Sequence, residues 1–404
     1  MPRTISLTES SGPTRVHLPD AVVQSLVASK IATISPAPDG AWDLAPARKV
    51  GVLRVADWTV RIQPKIPIDR LVFLMGYARD PRFWRERPVA VDVERDLPEA
   101  LGEAFSRLAT NALAQGLLHG YVEVEDSLAV LRGRLRVGDQ IAQRGGRLMP
   151  LEVRYDDFTA DIAENQILLA ALNRCQHLPI GPDARRRLAR LRLQLADVSA
   201  VPPPALPSWR PSRLNVRYQP ALRLAEVILA ASSFEHRAGE LPVTEFAFDM
   251  WRIYEDFVCR SLAEALAPLG GTSHLQYRTH LDVAETVDIR PDFVWTSAGQ
   301  PRIVADAKYK AQKPEGFPDA DLYQVLAYCT ALGLPEGHLV YAAGSGVDAA
   351  VHHLRGTGIW IHAHTLDLDV PKERLLAQVD GIAAQLTRGR RGAVPSPTVD
   401  GRAQ

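Results

Sequence analysis

The stretch from Asp288 to Lys310 restricts the fold of this chain more than any other. Two apolar runs, Phe293–Trp295 and Ile303–Ala305, flank Ser297-Ala298-Gly299-Gln300-Pro301, a turn-forming composition, so the stretch reads as a β-hairpin. Asp292 opens the first strand, while Asp306 and Lys308 close the second. Side chains alternate along a strand with a period of two, so Asp306 and Lys308 share a face. The hairpin can bring Asp292 beside them. Two carboxylates and an ammonium gathered on an apolar hairpin are costly unless a cation and an anionic substrate complete the set. A hard divalent cation takes oxygen ligands, for which Asp292, Asp306 and the carbonyl of Ala307 are candidates. Such an ion acidifies bound water and offsets phosphate charge, and Lys308 is placed to orient the water or stabilise developing charge. The plain alternative is an exposed hairpin whose charges are solvated, so the neighbouring segments have to decide.

Upstream, residues 246–266 read as one amphipathic helix, with Met250, Ile253, Phe257, Val258, Leu262 and Leu266 along its apolar stripe. Glu255 lies beside that stripe, near Tyr254 and Phe257; its plain reading is a boundary residue paired with Arg252. Downstream, residues 321–332 form a second helix on which Gln324 and Tyr328, four apart, share a face. In this order the segments resemble the PD-(D/E)xK nuclease superfamily, through Pro291-Asp292 followed by Asp306-Ala307-Lys308. The resemblance implies a C-terminal α/β restriction-endonuclease-like domain with a mixed sheet and Mg²⁺ as cofactor, Mn²⁺ being the alternative. It makes Asp292, Asp306 and Lys308 catalytic and gives Glu255 to the metal shell. The Gln-x-x-x-Tyr helix resembles the branch found in DNA-processing nucleases, which makes Gln324 and Tyr328 DNA-binding or supporting residues. Lys310 joins them, since the seven lysines include a cluster at Lys308, Lys310 and Lys313.

The remainder suggests three further parts. Residues 1–155 read as an α+β N-terminal domain: a strand over 14–18, a helix over 20–29, a β-hairpin over 50–66 turning at Ala56-Asp57, and helices over 68–78 and 94–118. Strands follow over 121–131, 135–137 and 148–155, and Arg144-Gly145-Gly146-Arg147 reads as the basic tip of a projecting hairpin. Residues 156–238 form a helical middle segment, with helices over 161–178, 183–198 and 222–231 and a proline-dense linker over 201–211. The arginine row from Arg185 to Arg192 is better read as a solvated helix face than as a phosphate contact. The nuclease domain occupies 239–387, ending with strands over 339–343 and 358–364 and a helix over 371–386. Residues 388–404, rich in Gly, Pro and Arg, read as a disordered tail.

Basic and acidic residues are equal in number, 47 each, where a free-standing DNA binder usually shows a basic excess, so either the basic residues are clustered or a partner does much of the gripping. Cys175, Cys259 and Cys329 show no paired spacing and read as reduced core thiols. No apolar run is long enough to span a bilayer and no signal-peptide core is present, so the expected location is cytoplasmic, with no membrane contact. The chain has no G-x-x-x-x-G-K-[ST], and no lysine precedes Ser or Thr, so no nucleotide is expected on this chain itself. His362 and His364 share a strand face but lack companions at zinc spacing, and read as ordinary histidines.

Taken whole, the chain resembles the McrC family, the nuclease subunits of McrBC-type modification-dependent restriction systems. The resemblance rests on Val50-Gly-Val-Leu53, Ile62-Gln-Pro-Lys-Ile66, Leu131-Arg-Gly-Arg134, the block from Asp157 to Asn165, Phe248-Asp-Met-Trp-Arg-Ile-Tyr-Glu-Asp-Phe-Val258, and residues 288–310. It implies an N-terminal half that docks on and stimulates a McrB-like AAA+ GTPase ring, and a C-terminal half that cuts double-stranded DNA. Two other readings stand beside it: a non-cleaving adaptor that activates the AAA+ partner, and a standalone repair-type nuclease.

Overall fold

Strand Lys49–Val55 pairs with one neighbour next to it in sequence and one far along the chain. It turns at Ala56-Asp57 into Trp58–Gln63, which pairs in parallel with Arg3–Thr8. Its other edge pairs antiparallel with Leu241–Asp249, and Glu235–Ala238 completes a five-stranded sheet. Gly51 makes this pairing possible. A Cβ there would lie 2.1 Å from the Phe246 carbonyl oxygen, and its φ of 143° suits glycine. The amphipathic helix therefore begins at Met250; residues up to Asp249, expected as its first turn, are strand instead. Their backbone groups pair with Lys49–Val55, and Phe246, Ala247 and Phe248 are buried in sequence, as a strand covered on both faces requires.

The computed structural model describes residues 3–9, 11–87, 89–92, 95–145, 147–202, 205–231, 235–238, 241–309, 319–343 and 349–387. Lys310 and the 388–404 tail lie outside them. The chain forms two compact units, residues 1–88 with 233–404, and residues 89–232. The boundary expected at 155/156 thus falls inside the second unit, because the sheet just described ties the first 88 residues to the C-terminal segment.

The first unit also holds a six-stranded mixed sheet in the order Thr272–Leu275, Phe293–Ser297, Gln300–Lys308, Glu336–Ala342, Trp360–Leu366, Ala350–His353. Its hairpin and its two parallel pairings bury Val294, Val304, Leu339, Tyr341 and Ile361 against Val325, Tyr328 and Cys329 of helix Asp319–Leu332. Gly337 sets that helix close: a Cβ there would meet Val325 Cγ1 at 2.4 Å and Cys329 Sγ at 2.6 Å. Helices Met250–Leu266 and Lys372–Leu386 pack on each other and against strands of the sheet. The first of them stops at Ala267-Pro268-Leu269, where Gly270 turns left-handed with φ 75°.

His362 and His364 do face the same way, and His338 joins them from the neighbouring strand, its Nδ1 3.1 Å from His364 Nε2. Among the described residues no group of three such side chains is disposed to hold a metal. Burial, helped by the neighbouring His362, depresses His364 to about 4 from an ordinary 6.5. The unfolded chain then takes up this proton first as the solution is acidified. Stability is retained above pH 6.5 and falls between 6.5 and 4, by on the order of 3 kcal/mol from this residue. Urea unfolding of wild type and His364→Gln at pH 7 and pH 4.5 checks this, because the variant loses much less on acidification.

The second unit packs helices Leu97–Leu113, Ala163–Gln176, Pro182–Gln194 and Gln219–Leu229 beside a three-stranded sheet of Gly120–Leu128, Leu151–Thr159 and Arg134–Leu135. The strand expected over 135–137 gives way at Val137 to helix Val137–Arg144. Gly145 closes that helix at φ 54°, so Arg144 is a helix end paired with Glu152 rather than the tip of a hairpin. The short helix carries Val137 and Ile141 exposed and buries nothing, so the apolar stripe used to detect helices has no inner face to mark. Arg185, Arg186, Arg190 and Arg192 are exposed, as a solvated face requires, while Arg187 reaches Glu103 at 2.9 Å. Cys175, Cys259 and Cys329 are free and buried. No described helix is long and apolar enough to cross a membrane.

Candidate active site

Strands Phe293–Ser297 and Gln300–Lys308 pair with Phe293 opposite Ala305, which brings Asp292 to the end of the strand bearing Asp306. Asp292 Oδ2 accepts the Ala307 N–H at 3.0 Å, so the Ala307 backbone lies at the site. Asp306 is almost wholly buried, at 2 % exposed, and ion-pairs through Oδ2 with Lys308 Nζ. Period-two alternation put these two on one face, and their contact shows that face. Helix Asp319–Leu332 then fixes the lysine: Lys308 Nζ donates to Gln324 Oε1 at 2.8 Å, and Gln324 Nε2 donates to Tyr328 Oη at 2.6 Å. Tyr328 in turn donates to the Arg290 carbonyl at 3.3 Å, closing the chain of bonds onto the strand before Asp292. Glu255, half-buried on helix Met250–Leu266, approaches from the sheet's other neighbour; its partner is Gln276, not Arg252. Lys310 falls outside the described residues. The other seven predicted site residues converge.

Gln276 and Asp321 are additions that the sequence reading missed. The Gln276 amide donates to both Glu255 Oε1 and Asp292 Oδ1, the latter at 3.0 Å. Its backbone is left-handed at φ 52°, uncommon for a residue with a side chain. Nothing in a lone glutamine between Leu275 and Tyr277 signals this role; it depends on the pairing of Gln276 with Asp292. Asp321, buried in the first turn of its helix, accepts from Tyr341 Oη at 2.8 Å and adds negative charge near Lys308. It sits three residues before Gln324, a spacing that could have flagged it.

Just past strand Gln300–Lys308, Tyr309 donates to Glu9 Oε2 at 2.8 Å, and Lys65 Nζ lies 4.7 Å over the Tyr309 ring. The Ile62-Gln-Pro-Lys-Ile66 block thus ends on the residue next to Lys308. Burial raises Glu9 above its usual range.

The electrostatics are unbalanced. Burial first, then Asp292, lifts Asp306 well above the ordinary carboxylate range, with Lys308 opposing. Burial and the charges of Asp292, Asp256 and Asp306 lift Glu255 likewise. Burial works to lower Lys308, but Asp306 outweighs it and the ammonium stays charged. Three carboxylates thus share one cation. As they stand, the Gln276 amide bridges two of them and Lys308 holds the third, and no three are already arrayed around a metal position. The donor set is oxygen-only, and a hard divalent cation would offset the burial and mutual repulsion that raise Asp306 and Glu255.

A chain of the Thermococcus gammatolerans assembly described as a refined half-complex of McrB AAA+ hexamers with bound McrC is similar in fold: TM-score 0.58, 18% identity, 95% of this chain and 100% of that one. A second structure, the Thermococcus gammatolerans McrBC complex, aligns at TM-score 0.38 and 19% identity over 65% of this chain and 88% of its counterpart. No curated protein matches the chain. The profile of the McrBC 5-methylcytosine restriction system components matches residues 44–342, well over half the chain. That span takes in the Lys49–Val55 strand, the Glu255 helix and the Asp292–Tyr328 constellation, and it shows that the chain belongs to the McrBC restriction-component family, of McrC type.

Proposed function

We propose that this chain is the Mg²⁺-dependent DNA endonuclease subunit of a McrBC-like, GTP-driven restriction complex that cleaves modified, methylated foreign DNA. The observation that carries the reading is the convergence of Glu255, Asp292, Asp306 and Lys308 beneath the Gln324–Tyr328 pair, in a chain of this family. Residues 239–387 are read as a PD-(D/E)xK domain, and a docking surface for a McrB-like AAA+ GTPase ring is assigned to residues 1–155. The Thermococcus assembly, in which McrC is bound to McrB hexamers, supports that partner, and cytoplasmic location follows from the work itself.

Asp292, Asp306 and Glu255, with the Ala307 carbonyl, would hold Mg²⁺ or Mn²⁺. When bound, such an ion lowers the pKa of a water ligand and offsets charge on the scissile phosphate. The chain's own residues do the positioning. The Ala307 N–H and the Gln276 amide fix the Asp292 carboxylate, and Gln324 holds Lys308 at a set height over Asp306. Lys308 keeps its proton and can donate to phosphate or to the attacking water, stabilising charge as it develops. Gln324, itself bonded to Tyr328, gives that ammonium a second, fixed acceptor beside Asp306.

The test is cleavage of modified and unmodified plasmid with Mg²⁺, with and without the AAA+ protein and GTP. Cutting of modified plasmid only with the partner and GTP supports the reading. Cutting by the chain alone moves it to a standalone nuclease, and no cutting with partner hydrolysis still stimulated moves it to an adaptor.

A further inference from the structure

The segment between Gln276 and Asp292 is a two-stranded ribbon that starts at the site and runs outward. Its rungs are Gln276 N–H to the Asp292 carbonyl at 2.8 Å, Tyr277 N–H to Pro291 at 2.9 Å, the pairs Thr279–Ile289 and His280–Asp288, and Leu281 N–H to Val287 at 2.9 Å. One register holds throughout, so Arg278 stands directly across from Arg290. By alternation within the ribbon, Arg278 and Arg290, then His280 and Asp288, occupy one face, and Gln276 and Asp292 follow at its base. Tyr277 and Ile289, on the other face, pack against the core of the six-stranded sheet. The tip is tied shut by Asp282, which accepts from Thr286 N–H and Val287 N–H at 2.9 Å each and from Thr286 Oγ1 at 2.7 Å.

Like charges directly opposite one another destabilise a ribbon. At the next rung on this face the protein avoids the problem, pairing His280 with Asp288 at 3.1 Å. At Arg278 and Arg290 it does not. Both are exposed, and among the described residues neither guanidinium has an ion-pair partner. Each stands two residues along the chain from the site, Arg278 from Gln276 and Arg290 from Asp292, a backbone span of about 7 Å. A pair of uncompensated guanidiniums that close along the chain to a phosphodiesterase centre suits an anion that continues past the centre. Duplex DNA, with a charge per about 3.4 Å of each strand, is such an anion.

We infer that Arg278 and Arg290 grip the sugar-phosphate backbone beside the cleaved bond, making the 276–292 ribbon the surface that seats DNA on this chain. The inference rests on the nuclease reading above. Guanidinium–phosphate contacts position a duplex without reading its bases, so the grip is independent of sequence.

The experiment is fluorescence-anisotropy titration of a labelled duplex with the full chain, in Ca²⁺ without Mg²⁺, over a series of salt concentrations. It compares wild type, R278A/R290A and R278K/R290K, with native folding of each checked by thermal unfolding. The alanine pair is expected to lower affinity at least tenfold at low salt and to reduce the salt slope by about two, one per lost phosphate contact. The lysine pair, keeping both charges, retains the slope. Equal affinity and slope in wild type and the alanine pair overturns the ribbon assignment while leaving the nuclease reading intact. Absence of duplex binding by wild type overturns the ribbon assignment too, while the nuclease reading is decided by the plasmid test with the AAA+ partner present.

Discussion

Asp306→Ala abolishes DNA cleavage while stimulation of the AAA+ partner's GTP hydrolysis persists. Asp306 is the most buried carboxylate of the site and the one in direct contact with Lys308, so its loss would remove a proposed metal ligand and release the ammonium together. A metal contributes several kcal/mol of charge stabilisation to such a reaction, and about 4 kcal/mol corresponds to a thousandfold rate loss. Single-turnover plasmid cleavage with the assembled complex reads this directly. Asp306→Asn separates charge from shape: it fills the same space and fails equally if the carboxylate charge is what matters. GTP hydrolysis lost along with cleavage would mean that Asp306 holds the fold together and that the cluster is structural.

The largest expected stability effect lies away from the site. Glu245, 1 % exposed on strand Leu241–Asp249, meets Lys49 Nζ at 2.9 Å on the neighbouring strand, and the same ammonium donates to the Ser29 carbonyl at 2.8 Å. This ion pair sits where the N-terminal and C-terminal segments share a sheet. Lys49→Met removes the countercharge and leaves a carboxylate in the interior, which costs about 3–5 kcal/mol. Pairing it with Glu245→Leu recovers most of the loss, since replacing both partners of a buried pair by apolar groups is often close to neutral. Denaturant midpoints of the two single variants and the double variant form the required cycle. A Lys49→Met cost below about 1 kcal/mol would show the pair to be solvated like a surface bridge.

Much of the site was legible because its spacing follows strand and helix periods. Asp306 and Lys308 two apart on a strand, and Gln324 and Tyr328 four apart on a helix, meet as those periods require. What escaped depends on contacts distant in sequence. Gln276 reaches Asp292 only through the ribbon's register, and no local pattern marks a glutamine for that place. The strand up to Asp249 was mistaken for helix because Phe246, Ala247 and Phe248 are apolar in succession, which suits the start of a buried helix or a strand covered on both faces. Only the pairing with Lys49–Val55, 190-odd residues away, decides between them. The same pairing explains why the compact units do not follow chain order: the N-terminal hairpin over 50–66 was visible, but not the sheet it would join.

The central claim is that Glu255, Asp292 and Asp306 form a divalent-cation site. Titration of Mn²⁺ into the protein, followed by the loss of its free-ion paramagnetic resonance signal, tests this without reference to cleavage. Wild type is expected to take up the ion, and Asp292→Asn, which removes the charge and can still accept from only one of Gln276 and Ala307, to lose at least tenfold in affinity. Equal uptake by both proteins, or none by wild type, contradicts the account.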